Sequence, residues 1–298
     1  MTATATARRT LPNLIVIGAA KCATTSLHGY LDRHPSIQMA RPQDDGVGTN
    51  DDAPKEMRFF WRDDWRDRLD WYASRFDAEA PVRGEATPAY TAHPFHPGVP
   101  ARIASVAPDA RLIYLVRDPI DRLVAHWVQA RVDGLRATLP ELLRSPGWED
   151  HQIVCPSRYA LQLEQYLEHF PADQILVVDQ QALRTERRET LSRVFDFAGV
   201  DATFWSPSFD VERNTREEKF ALTRAGAPLY RRLLDPAGRR LTPQAWRVRS
   251  PQVRRALSRP VERPTLGSAD RQRLVALFGP DTARLRELTG QRFATWSV

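Results

Sequence analysis

The chain has 298 residues, 42% of them hydrophobic, with 43 Lys and Arg against 37 Asp and Glu for a formal charge of +6. That length supports a sizeable core, and because the apolar residues are spread along it, a single domain over 1–298 is expected. No stretch approaches the roughly 20 apolar residues of a membrane span, the start MTATATARRT lacks the apolar core of a secretory signal, and Cys22 and Cys155 are too few for a disulfide scaffold or a metal cluster. A cytoplasmic protein with no metal and no membrane partner is the expectation.

The positive charge is almost entirely arginine, since Lys21, Lys55 and Lys219 are the only lysines. An arginine excess of this kind follows genome composition, so the three retained lysines carry more information than the total. A basic nucleic-acid-binding module would fit the charge. Asp and Glu are interleaved with the arginines, however, and no recognisable binding motif gathers them, so no nucleic-acid partner is expected. Nothing in the pattern specifies an oligomeric state.

In chain order, residues 1–11 read as a flexible polar tail. Leu14-Ile15-Val16-Ile17 is a continuous apolar run ending at Gly18, and residues 26–33 then read as a helix. Residues 43–54 (QDDGVGTNDDAP) are acidic and glycine-containing and read as a flexible surface loop. A second apolar run, Leu112-Ile113-Tyr114-Leu115-Val116, leads through Arg117-Asp118-Pro119 into a helix over 120–132. A helix over 157–169, a strand over 174–178 and a helix over 187–198 follow. Residues 212–264 are Arg- and Pro-rich and read as loops and short helices over the active site, before a last helix at 268–289. Continuous apolar strands alternating with helices predict a parallel sheet covered on both faces, a three-layer α/β fold with a P-loop-like strand, loop and helix.

Two loops carry the chemistry. Gly18-Ala19-Ala20-Lys21-Cys22-Ala23-Thr24-Thr25-Ser26 joins the first strand to its helix, where backbone N–H groups converge on an anion. Small residues allow close approach, three hydroxyls offer donors and Lys21 adds charge; Thr24, Thr25 and Ser26 also suit helix capping, which leaves Lys21 without a purpose. The spacing differs from G-x-x-x-x-G-K-[ST], because no second glycine precedes Lys21, and this disfavours the alternative of a P-loop nucleotide or small-molecule kinase. In the second loop Asp118 suits a helix cap and Pro119 a first turn, which aims Arg117 at the same sheet edge. Its guanidinium suits a phosphate, and equally a surface ion pair.

Together the two loops resemble the sulfotransferases that use 3′-phosphoadenosine 5′-phosphosulfate (PAPS), in particular the heparan sulfate branch and its bacterial relatives, with G-x-x-K-x-x-T-[ST]-[ST] and [LV]-R-[ND]-P-x-x-R-x-x-S. Lys55-Glu56-Met57-Arg58-Phe59-Phe60 is similar to the family's K-E-x-H-F-F, Gly84-Glu85-Ala86-Thr87-Pro88-Ala89-Tyr90 to its G-E-K-[ST]-P-x-Y, and Arg158-Tyr159 to its helix before the next strand. The resemblance implies transfer of a sulfuryl group from PAPS, leaving PAP, to a hydroxyl or amine of a small acceptor. It places Gly18, Ala20, Lys21, Cys22, Ala23, Thr24, Thr25 and Ser26 around the 5′-phosphosulfate, with Lys21 also catalytic. Arg117, the position of Ala125, Tyr159, Asn214 and Thr215 fall around the rest of the nucleotide. Glu56 becomes the general base, and Lys55, Arg58, Phe59, Glu85, Thr87 and Tyr90 the acceptor site.

Three positions depart from the family pattern. Ala125 stands where the family has a serine on the 3′-phosphate, so Arg122, His126 or Arg216 are candidates to replace it. Arg58 stands for a histidine and Ala86 for a lysine, which moves the expected acceptor from a polysaccharide toward a glycoside or other secondary metabolite, one carrying a carboxylate or phosphate. Glu85 is a rival base, and His93 or His96 would serve if the chemistry followed the phenol-type branch. The cluster Phe59, Phe60, Trp61, Trp65, Trp71 and Tyr72 reads as core packing that also approaches the acceptor pocket.

Overall fold

The computed structural model describes residues 9–42, 55–210, 219–223, 226 and 255–298. The loop expected at 43–54, most of the tail, Asn214, Thr215 and Arg216, and most of the region expected at 212–264 lie outside the described residues.

Five strands form the central sheet: β1 (Leu14–Gly18), β2 (Ile37–Met39), β3 (Val82–Ala86), β4 (Arg111–Val116) and β5 (Ile175–Asp179). Their order is β2-β3-β1-β4-β5 and every pairing is parallel. From Leu14 to Ile17 in β1 and from Leu112 to Val116 in β4 no residue has any exposed surface. Only a sheet covered on both faces buries such runs, and each large aliphatic side chain sealed there contributes about 1.5–3 kcal/mol. The predicted α/β class is the observed one.

The flanking helices are α1 (Thr24–Leu31), α2 (Leu69–Ala73), α3 (Val99–Val106), α4 (Pro119–Val132), α5 (Leu139–Arg144), α6 (Tyr159–Leu167), α7 (Gln180–Thr185), α8 (Arg187–Ala198) and α9 (Ser268–Thr289). The sequence logic of α4 holds in detail: the Asp118 side chain accepts from the Asp121 N–H and Pro119 occupies the first turn. A second apolar cluster beneath α4, built on Leu123, Trp127, Leu139, Leu143, Leu274 and Phe278, joins that helix to α5 and α9. The helix α9 also reaches α6, where Asp281 accepts from the N–H groups of Ala160 and Leu161 at 3.0 Å each. A carboxylate from far along the chain thus caps a helix whose own N-cap, Arg158, makes no side-chain capping bond.

The chain builds β1, β2 and β3 to one side of the sheet and then crosses to β4 and β5 on the other. The carboxyl ends of β1 and β4 are therefore the point where strand order reverses, and a crevice opens there in folds of this kind. A short antiparallel pair, β6 (Phe220–Leu222) and β7 (Ser258–Pro260), packs by β6 against α4 beside that crevice.

Candidate active site

The loop after β1 is shaped by backbone before side chains. Lys21 and Ala23 both adopt left-handed φ, 74° and 65°, which costs a non-glycine residue roughly 1–2 kcal/mol. Left-handed residues in a short loop that leads into a helix are a backbone form that can turn N–H groups toward an anion. Ala23 is the N-cap of α1 and offers no side-chain acceptor, so Thr24, Thr25 and Ser26 lie within the first turn and do not cap it. The capping explanation for these hydroxyls therefore fails, and a partial positive charge is left at the helix end. Gly18 is required sterically, because a Cβ there would overlap the Thr91 side chain. Within the loop the Ala19 N–H is engaged by the Leu115 carbonyl at 2.7 Å and the Cys22 N–H by the Ala19 carbonyl at 3.1 Å, so Cys22 has no N–H for a ligand.

Lys21 meets a second lysine. Its Nζ donates to Gln129 Oε1 at 3.2 Å, and Lys219 at the start of β6 donates to the same oxygen at 2.7 Å. The Gln129 amide is oriented by its Nε2, which donates to Asp133 at 3.1 Å. Burial, together with the like charge of Lys219, pushes Lys21 down to about 8, while Asp133 and Glu56 oppose the shift. Two ammonium groups on one neutral oxygen concentrate positive charge beside the loop. Its rarity in an arginine-rich chain marked Lys219 in the sequence, but it fell in no motif that would have given it a role.

Across the β1/β4 crevice, Arg117 is one-quarter exposed and shares Asp121 with Arg263, each at 3.0 Å. Ala125 lies one turn further along α4. Among the replacements weighed for the absent serine, Arg122 is fully buried and donates to Ser157 Oγ at 2.6 Å, to the Ile153 carbonyl and to the Ala20 carbonyl. His126 is pushed down to about 3 by burial and by Arg122 and Lys21, so it is neutral at pH 7. Both are committed to the protein, whereas Arg263, not singled out from sequence, is exposed beside Arg117. Tyr159 is also corrected: it is buried, its hydroxyl accepts from the Arg117 N–H at 3.3 Å and lies 3.5 Å from Cys22 Sγ, so it ties the two loops together from below.

The other wall is the segment 55–61. Glu56 is partly exposed and its Oε2 accepts from Arg58 Nε at 3.0 Å. Arg58 has φ 51° and its guanidinium lies 5.5 Å above the Trp61 ring, which in turn packs against His96 at 4.5 Å. Glu56 favours the charged form of Lys21, a smaller effect than the burial and the Lys219 charge that oppose it. Lys55 is pulled down by burial, and its Nζ and His28 Nε2 are buried without hydrogen-bond partners among the described residues. His28 is pushed down to about 4 by burial and then by Lys55.

Phe59, Glu85, Thr87 and Tyr90 are buried to within 2% of completely. The expectation that these four touch the acceptor is corrected, because they have no surface to present to it. Glu85 accepts from three hydroxyls and is pushed up to about 7 by burial, against the pull of those donors. With both oxygens occupied and no access, it does not fit the role of rival base. His93 is held through its backbone N–H by Gln162 at 2.7 Å.

A parallel sheet with a cationic strand-loop-helix turn at its reversal point is an arrangement suited to an anionic ligand. The sequence profile described as "Sulfotransferase family" matches residues 12–206, more than half of the chain, and the chain belongs to that family. That membership speaks against the kinase alternative. The human bifunctional heparan sulfate N-deacetylase/N-sulfotransferase 3 is 31% identical over 205 residues, which cover 64% of this chain and 22% of that protein. The mouse bifunctional heparan sulfate N-deacetylase/N-sulfotransferase 4 is 28% identical with the same coverage. The chain thus corresponds to about one fifth of these much longer relatives. In structure it is similar to a sulfotransferase from Alicyclobacillus acidocaldarius, with a TM-score of 0.62 and 21% identity, over 96% of this chain and 99% of that one; this likeness shows the shared P-loop-like fold. Among the described residues no helix is long and apolar enough to cross a membrane.

Proposed function

We propose that the chain uses PAPS as sulfuryl donor and transfers its sulfuryl group to a hydroxyl or amine of a small acceptor, with Glu56 as general base. The observation that carries this reading is the convergence of Lys21 and Lys219 on Gln129 Oε1 beside the turn after β1, with Glu56 near enough to favour the charged form of Lys21. The loop N–H groups at Ala20, Lys21 and Ala23, the first turn of α1 and the hydroxyls of Thr24, Thr25 and Ser26 suit the 5′-phosphosulfate. Arg117 and Arg263 around Asp121 suit the 3′-phosphate, a bidentate cation taking the place of the serine absent at Ala125.

Sulfuryl transfer builds charge on the departing phosphate oxygen, and the paired lysines with the helix end neutralise it. Glu56 takes the acceptor's proton as the bond to sulfur forms, a contribution of typically 10²–10⁴-fold. Arg58, over Trp61 and beside Glu56, favours an acceptor that carries a carboxylate or phosphate next to a flat ring or sugar face, in keeping with a glycoside or other secondary metabolite. The whole chain would act as one domain in the cytoplasm. The test is ligand-specific thermal protection. PAP at 100 times its dissociation constant raises stability by about 2.7 kcal/mol, and ATP at equal concentration leaves the melting temperature unchanged. Protection by ATP and none by PAP would overturn the donor assignment.

A further inference from the structure

The segment that carries Glu56 has no regular secondary structure, yet three of its successive backbone N–H groups are fixed from below. Arg58 N–H donates to Thr87 Oγ1 at 3.1 Å, and Phe59 and Phe60 N–H both donate to Tyr90 Oη, at 3.0 and 3.3 Å. Those two hydroxyls turn their own hydrogens the other way, onto one carboxylate: Thr87 Oγ1 donates to Glu85 Oε2 at 2.9 Å and Tyr90 Oη to Glu85 Oε1 at 3.1 Å. Tyr72 Oη donates to the same Oε1 at 2.6 Å but receives none of the three N–H groups.

The direction of these bonds is the point. Backbone N–H groups only donate, so Thr87 Oγ1 and Tyr90 Oη accept from the segment and turn their own hydrogens inward, onto Glu85 oxygens that accept them. A neutral amide in place of Glu85 would bring donors of its own. Glu85, fully buried and two residues before Thr87, thus anchors a relay that ends on the backbone of Arg58, whose left-handed φ would otherwise relax.

We propose that Glu85 is a positioning residue for Glu56: through Thr87 and Tyr90 it clamps residues 58–60, and so holds the base and its Arg58 partner over the sulfuryl donor. The inference rests on the reading of Glu56 as base.

The test separates the clamp from mere stability by comparing two phenols on one carboxylate. Amide exchange at residues 58–60 is measured by NMR, the affinity for PAP by calorimetry, and turnover as conversion of labelled PAPS to PAP with water as acceptor. In that reaction the water oxygen bonds to sulfur, the bond from sulfur to the phosphate oxygen breaks with its electron pair leaving on PAP, and Glu56 takes the proton. Tyr90→Phe is expected to speed exchange at Phe59 and Phe60 at least tenfold and to lower turnover about tenfold, with PAP affinity within twofold of the parent. Thr87→Val does the same at Arg58, and Thr87→Ser restores both exchange and rate. Tyr72→Phe removes a hydroxyl from Glu85 without touching the relay and keeps turnover within threefold. Equal losses in Tyr72→Phe and Tyr90→Phe, or faster exchange with unchanged turnover, would overturn the clamp. Full turnover in Glu56→Gln would remove the base and with it the catalytic part of the inference, whereas a parent protein that fails to bind PAP would defeat the donor reading by itself.

Discussion

The two walls of the site are built by opposite means. On the donor wall, residues 18–26 carry their chemistry locally: a turn with two left-handed residues, the open end of α1 and a lysine all lie within nine positions of sequence. On the acceptor wall, residues 55–61 have no such internal order and are held by Thr87, Tyr90 and Glu85, roughly thirty positions away. The first kind of site tolerates change elsewhere in the chain but not within itself. The second depends on buried residues beneath it.

The largest effect expected from breaking one wall alone belongs to Glu56→Gln. Turnover of labelled PAPS falls by about 10²–10⁴-fold, the range for loss of a general base, while calorimetry returns the parent affinity for PAP. Near-normal turnover would show that the acceptor wall works without this carboxylate.

Next is the donor wall and its pH dependence. Lys21→Met removes a charge-assisted contact of roughly 1.5–3 kcal/mol, so PAP affinity measured at pH 7 drops on the order of tenfold to a hundredfold. In the parent protein the loop lysine titrates at about 8 because burial and Lys219 both lower it. Above that pH the free site is neutral there and the anion must bind with uptake of a proton, so affinity declines as pH rises past 8. Lys219→Met takes away the like charge, raises the titration point of Lys21 and moves the start of the decline to higher pH. A decline that begins at the same pH in both proteins would uncouple the lysines.

The smallest effect sharpens the far end of the donor wall. Ala125→Ser restores a hydroxyl one turn from Asp121, and a neutral hydrogen bond of about 0.5–1.5 kcal/mol predicts a severalfold gain in PAP affinity. No gain, with Arg263→Ala weakening PAP instead, would mean that the arginine pair already fills that role.

The same contrast decides what the sequence revealed. The Lys21 turn, Arg117, the cap and first turn of α4, and the helices at 187–198 and 268–289 were legible because their signals are local: spacing, capping residues and periodicity. The strand β3 was not. Its residues, Val-Arg-Gly-Glu-Ala, break the apolar run that marked its neighbours, and Glu85 is acceptable inside only because hydroxyls from Tyr72, Thr87 and Tyr90 converge on it. Tertiary partners of this sort leave no periodicity to read. The pairing of Lys219 with Gln129, ninety positions apart, and of Arg263 with Asp121 escaped for the same reason. Tyr159, Phe59, Thr87 and Tyr90 were found as motif members but assigned to the ligand, when their burial makes them foundations.

Asp281 has a practical bearing on how this chain is cut. The stretch that matches the family profile stops at residue 206, yet the carboxylate that closes the start of α6 belongs to α9, and α6 begins with the tyrosine whose hydroxyl steadies Arg117. A fragment trimmed to the matched stretch would keep every motif residue through Arg117 while unpinning the helix beneath them. Expression designs and chimeras built on the profile boundary would then measure a loosened arginine loop, and the last thirty residues belong in any minimal version of the enzyme.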